Sequence, residues 1–237
     1  MQRYFANIIN NQAFLSKEDA FHLLTVMRAK KGDNIEIVHE QKAYLAIVES
    51  INPLVVSIQE PILKNSELKA EVNLFFALAK SDKIELVIQK ATELGASKIT
   101  LFQGKRSVVK FTENDFERKL ARFTSIATSA SEQCHREKIP EIAYIKSIDD
   151  IKKEDLSELN LFAYELEAGN TNKLDELLAK EYQSISVIIG PEGGFDLAEA
   201  KKLNELGFKN ISLGKRILRC ETAAIYALSV IAFSLEK

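Results

Sequence analysis

The sequence contains little cysteine and histidine, the side chains that bind zinc in proteins. Its 237 residues include two cysteines, Cys134 and Cys220, and three histidines, His22, His39 and His135. None has the CxxC or HxxxH spacing that zinc sites use, so we expect no metal. Cys134 and His135 are adjacent, but neighbouring residues of a helix point in different directions and rarely form a nucleophile and its base. We therefore interpret Cys134 as a half-buried thiol.

Long apolar segments and an excess of charge of one sign are also missing. The longest apolar run lies near the C-terminus and is shorter than the roughly 18 residues that indicate a membrane span. The N-terminus has no basic-then-apolar signal pattern. We therefore expect a cytoplasmic protein without a membrane partner. A formal net charge of −2 gives no overall attraction to polyanions, so any nucleic acid would have to bind a local patch.

The usual nucleotide-binding motifs are absent as well. The glycine-rich stretch IGPEGGFDLAEA, at 189–200, follows an apolar strand and precedes a predicted helix. It lacks the Lys-Ser/Thr of a P-loop and the GxGxxG of a dinucleotide fold. Asp196 is predicted to cap the helix, with Glu199 three residues later, and an acidic cap repels phosphate. The bare backbone of the loop favours a less anionic ligand, such as the edge of a neutral purine, or is only a tight turn.

Hydrophobic patterning divides the chain into two parts. Residues 1–70 contain one predicted helix and several short strands, which resemble a small β-barrel. Residues 71–237 alternate strands and helices, which is typical of a largely parallel sheet. We predict an α/β fold with a domain boundary at residues 70 and 71.

Charge is distributed unevenly along this frame. Residues 80–140 hold twelve Lys and Arg against eight Asp and Glu, whereas residues 141–200 hold five against fourteen. This asymmetry fits a surface that presents one face to a polyanion, although most charged runs are only solvated faces.

A second polar loop occurs at 213–224, with the sequence LGKRILRCETAA, at the end of another predicted strand. Ligands in open α/β sheets bind beyond the carboxyl ends of strands, so the two loops are predicted to form one pocket. The helix that follows, from Thr222 to about Leu235, has no charge inside it and is apolar on nearly every face. Such a helix must be buried, either in the core of the monomer or against a second subunit.

Five stretches of the sequence resemble one known family. They are GPEGGF at 190–195, LGKRILRCETAA at 213–224, QKATELG at 89–95, SEQCHR at 131–136 and HLLTVMRAKKGD at 22–33. Together they are similar to the motifs of the 16S ribosomal RNA (uracil-N3)-methyltransferases of the SPOUT superfamily, in the same order and over nearly the whole chain.

The resemblance implies a PUA-like β-barrel at residues 1–70 that binds RNA, and a SPOUT methyltransferase domain with a trefoil knot at residues 71–237. It also implies S-adenosylmethionine as cofactor, 16S ribosomal RNA or the small ribosomal subunit as substrate, and a homodimer. The cofactor site is then carried over to Glu165, Leu166, Gly190, Pro191, Glu192, Gly193, Gly194, Leu213, Gly214, Ile217, Leu218 and Arg219.

The predicted reaction suggests catalytic roles for three polar residues of the two loops and the helix start. Uridine N3 carries a proton and is a poor nucleophile at neutral pH, so the enzyme must remove that proton. Glu221 or Glu192 could accept it, and Arg219 could stabilise charge on the uracil oxygens. The alternative for Glu221 is a simple salt bridge with Arg219. We further predict phosphate contacts by basic residues, namely Arg3, Arg28, Lys30, Lys31, Lys105, Arg106 and Arg136.

Two other functions remain open from the sequence. One is a SPOUT methyltransferase that acts on another RNA position, either a ribose 2′-oxygen or a guanine. The other is a non-catalytic RNA-binding dimer that retains the fold.

Overall fold

The computed structural model describes residues 1–164 and 174–237 of the chain. Contacts between residues group the chain into two compact units. The first unit is Met1–Glu67 with Thr128–Lys138, and the second is Leu68–Ala127 with Ile139–Lys237. The domain boundary predicted at residues 70 and 71 stays a prediction. No helix within the described ranges is both long and apolar enough to cross a bilayer.

The first unit is built on a six-stranded sheet in the order β1-β4-β5-β6-β3-β2. Strands β1 and β4 are parallel, and the other neighbours are antiparallel. The long strands show apolar alternation in the sequence, whereas three-residue strands are too short to produce a period. The bounds are β1 Arg3–Phe5, β2 Asn7–Ile9, β3 Gln12–Phe14, β4 Asn34–His39, β5 Lys42–Ile51 and β6 Leu54–Pro61.

One helical segment joins β3 to β4 in this unit. Helix α1, Lys17–Phe21, begins after Ser16, whose side chain accepts a hydrogen bond from the backbone N–H of Asp19. It continues as one turn of π-helix, His22–Val26. Leu23 in that turn is buried in the core of the unit, so the turn is anchored to the sheet.

Two buried arginines form ion pairs inside the first unit. Arg3 lies 2.7 Å from Glu36, which also contacts His135 at 2.9 Å, and Arg136 lies 2.6 Å from Glu67. The arginine side chains are only 4% and 3% exposed. Removing one partner of such a pair leaves an uncompensated buried charge. Both guanidinium groups are buried against these carboxylates, so neither Arg3 nor Arg136 is placed to bind an RNA phosphate as predicted.

The second unit contains a six-stranded sheet in the order β12-β10-β11-β7-β8-β9, and every neighbouring pair is parallel. This confirms the parallel sheet predicted from the alternating pattern. The strands are β7 Glu71–Ala77, β8 Lys98–Phe102, β9 Glu141–Ile145, β10 Leu159–Ala163, β11 Ser184–Ile189 and β12 Lys209–Ile211. The helices are α2 Ser81–Glu93, α3 Glu113–Gln133, α4 Leu174–Leu177, α5 Leu197–Glu205 and α6 Cys220–Leu235, with 3₁₀ turns at Ile148–Asp150 and Lys153–Asp155.

Helices cover both faces of the parallel sheet. Along β7, Leu74 and Phe76 belong to the core that also contains buried residues of α2 and α6. Phe75 and Ala77 belong to a second core that contains buried residues of α5. Because both faces are buried, the strand is apolar from Leu74 to Ala77 rather than alternating.

Helix α6 is only partly buried within the described chain. It begins at Cys220, two residues before the predicted start at Thr222, and ends at Leu235 as expected. Ala224 and Ile231 are fully buried, whereas Tyr226 is 45% and Phe233 64% exposed. Of the two alternatives given above, complete burial in the monomer core does not hold for one face, since Thr222, Tyr226, Ser229 and Phe233 form a stripe at helical spacing that is exposed or half-buried.

A carboxyl group inside the first unit is placed unfavourably for ionisation. Burial of Glu132, at the end of α3, raises the pKa of its carboxyl group to about 7, and the nearby Asp19 adds to the increase. Its Oε1 atom is buried and has no hydrogen-bond partner in the part of the chain that the structure describes. The protonated form is therefore favoured in the folded state.

We expect Glu132→Gln to stabilise the protein at alkaline pH. Folding raises the pKa of Glu132 from 4.5 to about 7. The contribution of this group to the free energy of unfolding is therefore fully present below pH 4.5 and is lost as pH rises through 7. The amide does not ionise, so the variant should gain roughly 1–2 kcal/mol at pH 8, with a discount for partial exposure, and little at pH 4.5. Urea unfolding at both pH values measures this. The exposed Glu49→Gln serves as control, and an equal change at both pH values would contradict the prediction.

Candidate functional site

Three strand ends lie side by side at one edge of the second unit's sheet. Strand β10 pairs with β12 on one side and with β11 on the other, all parallel, so the segments after them leave the sheet at the same edge. The loop at 190–196 follows β11 and the loop at 212–219 follows β12. Glu165 and Leu166, predicted to line the site after β10, lie outside the described residues.

The loop after β11 needs glycine at two positions for different reasons. At Gly190, which is buried, an added Cβ atom would lie 3.1 to 3.3 Å from the ring of Phe195. Gly194 has φ +67°, a left-handed conformation that costs other residues about 1 kcal/mol. The N–H of Gly194 also donates to the carbonyl of Pro191 at 2.8 Å, which closes a tight turn. The turn leaves Glu192 exposed to solvent.

The predicted acidic cap of the following helix is confirmed. Asp196 accepts a hydrogen bond from the N–H of Glu199 at 2.7 Å, and Glu199 accepts one from the N–H of Asp196 at 2.9 Å. The hydrogen bond from Glu199, with the contact to Lys105, lowers the pKa of Asp196. Two carboxylates therefore occupy the start of α5, where a phosphate would otherwise bind.

Two residues predicted to contact RNA support this loop. Lys105 Nζ lies 3.2 Å from Asp196 Oδ2, and Arg106 Nη1 donates to the carbonyl of Gly193 at 2.9 Å. A Cβ atom on Gly193 would lie 3.0 Å from Arg106 Cβ, so this approach also requires glycine. The segment after β8 thus fixes the exposed side of the loop.

The loop after β12 exposes most of its predicted site residues. Gly214 has φ +106° and Leu213 is half-buried. Ile217 is 81% exposed, and Leu218 is half-buried against the core. Arg219 is exposed and occupies the N-cap position of α6, so its guanidinium group is accessible at the start of that helix.

A lysine connects the two loops. Lys83 in the first turn of α2 lies 3.0 Å from Glu192 Oε1 and 3.4 Å from Glu221 Oε2. The hydrogen bond to Glu192 is the largest contribution that raises the pKa of Lys83. Burial alone would raise the pKa of Glu221, but hydrogen bonds from its own backbone N–H, from Cys220 and from Lys83 lower it. Among the residues that the structure describes, Glu221 is thus paired with Lys83 and not with Arg219.

Sequence reasoning missed Lys83, although a signal for it existed. It lies just after β7, which pairs in parallel with β11, so both strands end at the same edge. A charged residue in the first turn of a helix that follows a central strand is a candidate for that site.

The thiol of Cys220 is not a nucleophile. Burial, together with the hydrogen bond to Glu221, raises the pKa of Cys220 to about 12. The protonated thiol donates to Glu221 Oε2 at 3.3 Å. Across residues 1–164 and 174–237, no group of three or more potential ligands is arranged to hold a metal ion.

Comparison with known proteins identifies the class to which this fold and site belong. Residues 66–232 match the RNA methyltransferase domain family, and residues 15–59 match the RNA methyltransferase PUA domain family. The chain is 34% identical to the ribosomal RNA small subunit methyltransferase E of Bacillus subtilis (strain 168), over 100% of this chain and 98% of the relative.

Two solved structures have the same fold over nearly the whole chain. A putative methyltransferase from Legionella pneumophila, in complex with the bound cofactor SAM, has a TM-score of 0.86 and 29% identity, covering 98% of this chain and 97% of that chain. The ribosomal RNA small subunit methyltransferase E from Neisseria gonorrhoeae, bound to S-adenosyl methionine, has a TM-score of 0.83 and 25% identity with the same coverage.

The chain belongs to the family of ribosomal RNA small subunit methyltransferase E proteins. The predicted resemblance to a ribosomal RNA methyltransferase family is confirmed. The predicted α/β class with a PUA-like N-terminal domain is confirmed as well. The trefoil knot stays a prediction.

We expect Gly190→Ala to destabilise the second unit more than Gly194→Ala. The added methyl group at 190 meets Phe195, which packs between Phe102 and Phe162 and cannot move aside, so the cost is about 1–3 kcal/mol. At Gly194 no atom lies within 4 Å, and only the backbone strain of about 1 kcal/mol remains. Thermal unfolding of both variants tests the order, and a larger loss at Gly194 would contradict it.

Proposed function

We propose that this protein transfers a methyl group from S-adenosylmethionine to N3 of a uridine in 16S ribosomal RNA. The observation that carries the proposal is the pair of loops after β11 and β12, joined through Lys83, in a chain of this family. Family relatives are named as small-subunit ribosomal RNA methyltransferases, and two structural relatives contain the cofactor.

The residues present fit this cofactor. At Gly194 no atom lies within 4 Å of an added Cβ atom, so the bare backbone there allows close approach by an uncharged adenosyl group, and the capped start of α5 disfavours a phosphate. The charges of Lys83, Glu192 and Glu221 sum to −1, which complements a sulfonium ion.

The complete set of residues proposed to hold the cofactor is the predicted one. The residues fall into three segments, which follow β10, β11 and β12 in the sequence. Because β10 lies between β11 and β12 in the sheet, this order supports their assignment to one pocket. The set comprises Glu165, Leu166, Gly190, Pro191, Glu192, Gly193, Gly194, Leu213, Gly214, Ile217, Leu218 and Arg219.

The bound cofactor would supply an already activated methyl group, so the protein has to orient the uracil and accept its N3 proton. Glu221 remains ionised at neutral pH because its pKa is lowered, and it can accept a hydrogen bond from the N3–H group. Glu192 shares the same ammonium group and is the alternative acceptor, directly or through water. The exposed guanidinium of Arg219 would stabilise negative charge on the uracil oxygens.

Basic residues in each unit are proposed to contact the RNA backbone. Arg28, Lys30 and Lys31 are exposed in the first unit. Lys105 and Arg106 are exposed in the second unit, beside the glycine-rich loop that they support. Because N3 takes part in base pairing, the target uridine must be unpaired or flipped out of a helix.

We also propose that the protein is a cytoplasmic homodimer with the predicted trefoil knot. The stripe on α6 that contains Tyr226 and Phe233 supports a dimer, since it is uncharged and exposes two aromatic side chains in the described chain. A second subunit is one partner that would cover it. Sedimentation at micromolar concentration tests this assignment, and a monomer would oppose it.

Two experiments test the proposed reaction. Calorimetry should show binding of S-adenosylmethionine, whereas no binding at millimolar cofactor would favour a non-catalytic RNA-binding protein. Mass mapping of 16S ribosomal RNA from a strain without the gene should then show one uridine that has lost a base methyl group. Loss of a ribose or guanine methyl group instead would identify another RNA methyltransferase, and an unchanged map would reject the assignment.

We expect Lys83→Met to lower kcat/KM by about 10- to 100-fold, because both carboxylates lose the cation that positions them. The lowered pKa of Glu221 should also rise. In the wild type, activity that needs this carboxylate is lost as pH falls through the lowered pKa, so in the variant the loss begins at a higher pH. The pH profile of methylation measures this shift. Lys83→Arg keeps a cation and should lose activity at the same low pH as the wild type. If Lys83→Met also loses activity at that pH, Lys83 does not set the pKa of Glu221 and the proposed role is refuted.

A further inference from the structure

One exposed surface of the first unit is not explained by its fold. We call it the π-turn surface. It combines apolar and basic side chains on one short segment, and Phe21, Val26 and Met27 in it are 62%, 58% and 48% exposed. The π-turn surface consists of Phe21, Val26, Met27, Arg28, Lys30 and Lys31, all of them exposed.

The backbone holds the apolar side chains of this surface in place. The N–H of Met27 donates to the carbonyl of His22 at 2.9 Å, which is the i to i+5 bond of a π-helix. Phe21 immediately precedes this turn, Val26 ends it and Met27 follows it, so the three exposed side chains stand on one hydrogen-bonded segment. Below them Leu23 is 1% exposed, and the His22 ring contacts the hydroxyl of Tyr4 at 2.9 Å. The exposed side chains therefore stand on an anchored turn.

The basic side chains are also held by fixed backbone. Arg28 has φ +54°, a left-handed conformation that costs a residue other than glycine about 1 kcal/mol. Glycine would adopt this conformation without strain, so a function of the arginine side chain would explain why arginine occupies the position. The N–H of Lys30 donates to Asp33 Oδ2 at 2.7 Å, which closes the next turn and places Lys30 and Lys31 beside it.

We propose that the π-turn surface binds an unpaired nucleotide of the RNA substrate, with its base stacked on Phe21 and its flanking phosphates bound by Arg28, Lys30 and Lys31. This rests on the proposed function and deepens it by adding a base-stacking contact at Phe21 to the phosphate contacts already proposed for Arg28, Lys30 and Lys31. Proteins that bind single-stranded RNA combine aromatic faces with cations in this way. The surface carries three cations and no acid, and this charge favours a polyanion over a protein partner.

Three substitutions of Phe21 distinguish stacking from simple apolar burial. The readout is methylation of small ribosomal subunits that lack the modification. Phe21→Ala should raise KM by roughly 10- to 100-fold, given the usual contribution of one stacked base. Phe21→Leu should show a similar increase because it has no aromatic face, whereas Phe21→Tyr should remain near the wild type. Calorimetric binding of S-adenosylmethionine and kcat should be unchanged in all three.

The outcomes separate this inference from the proposed function. If the wild type does not methylate the particle, the proposed function fails. If the wild type methylates it and Phe21→Ala has the same KM, only the inference fails. If Phe21→Leu restores the wild-type KM, or Phe21→Ala changes the oligomeric state, the surface is an apolar protein interface and the inference is overturned.

A fluorescence experiment detects the stacked base directly. The sequence contains no tryptophan, so Phe21→Trp introduces a single indole whose emission is distinct from that of the six tyrosines. Titration with small ribosomal subunits should quench its emission, because a stacked nucleobase lies on the indole face. The control is Leu63→Trp at a residue of the same unit that is 93% exposed, whose emission should change little. If saturating small subunits quench the emission of Phe21→Trp no more than that of Leu63→Trp, the proposal is overturned.

The cationic part of the surface has its own test. Arg28→Gln should weaken particle binding and reduce the slope of log K against log salt by about 1, which is the effect of losing one phosphate contact. Lys42→Gln removes a charge from an exposed residue elsewhere in the same unit and should leave the slope near the wild-type value. Equal slopes for both variants would contradict a phosphate contact at Arg28.

Discussion

The site depends on one ammonium group shared by two carboxylates. Lys83 comes from the helix after β7, Glu192 from the loop after β11 and Glu221 from the first turn of α6. Glu221 is only 14% exposed, and a carboxylate in such a place needs a cation or hydrogen-bond donors to remain ionised, whereas Glu192 is exposed to solvent. The same pairing therefore fixes the positions of three segments and maintains a negative charge where a positively charged methyl donor would be accommodated.

Much of this arrangement follows from strand direction, and that is why the sequence could predict it. Parallel strands place their carboxyl ends at one edge, so two polar loops after two apolar strands had to converge. The acidic cap at Asp196 and Glu199 was visible in the sequence for a related reason, because a capping box is local chemistry between residues three apart. Both predictions needed only short-range patterns and the direction of the chain.

Long-range pairings could not be predicted in the same way. Arg3 pairs with Glu36, and Arg136 with Glu67, across 33 and 69 positions. A basic residue in a single sequence has the same appearance whether it is exposed or pairs with a distant acid, so both arginines were read as surface residues. Lys83 was overlooked for the same reason, since its partners lie more than 100 positions away.

Helix α3 supplies residues to both compact units, because 113–127 belong to the second and 128–133 to the first. Arg136, just after it, pairs with Glu67, and the carbonyl oxygen of His135 accepts from Arg3. An N-terminal fragment that stops at residue 67 would therefore lack the cation that pairs with Glu67, whose side chain is only 10% exposed, and a carbonyl that accepts from the buried Arg3. The RNA-binding part of this chain is not a portable module, and gene fusions or domain exchanges that treat it as one would separate groups that fold together.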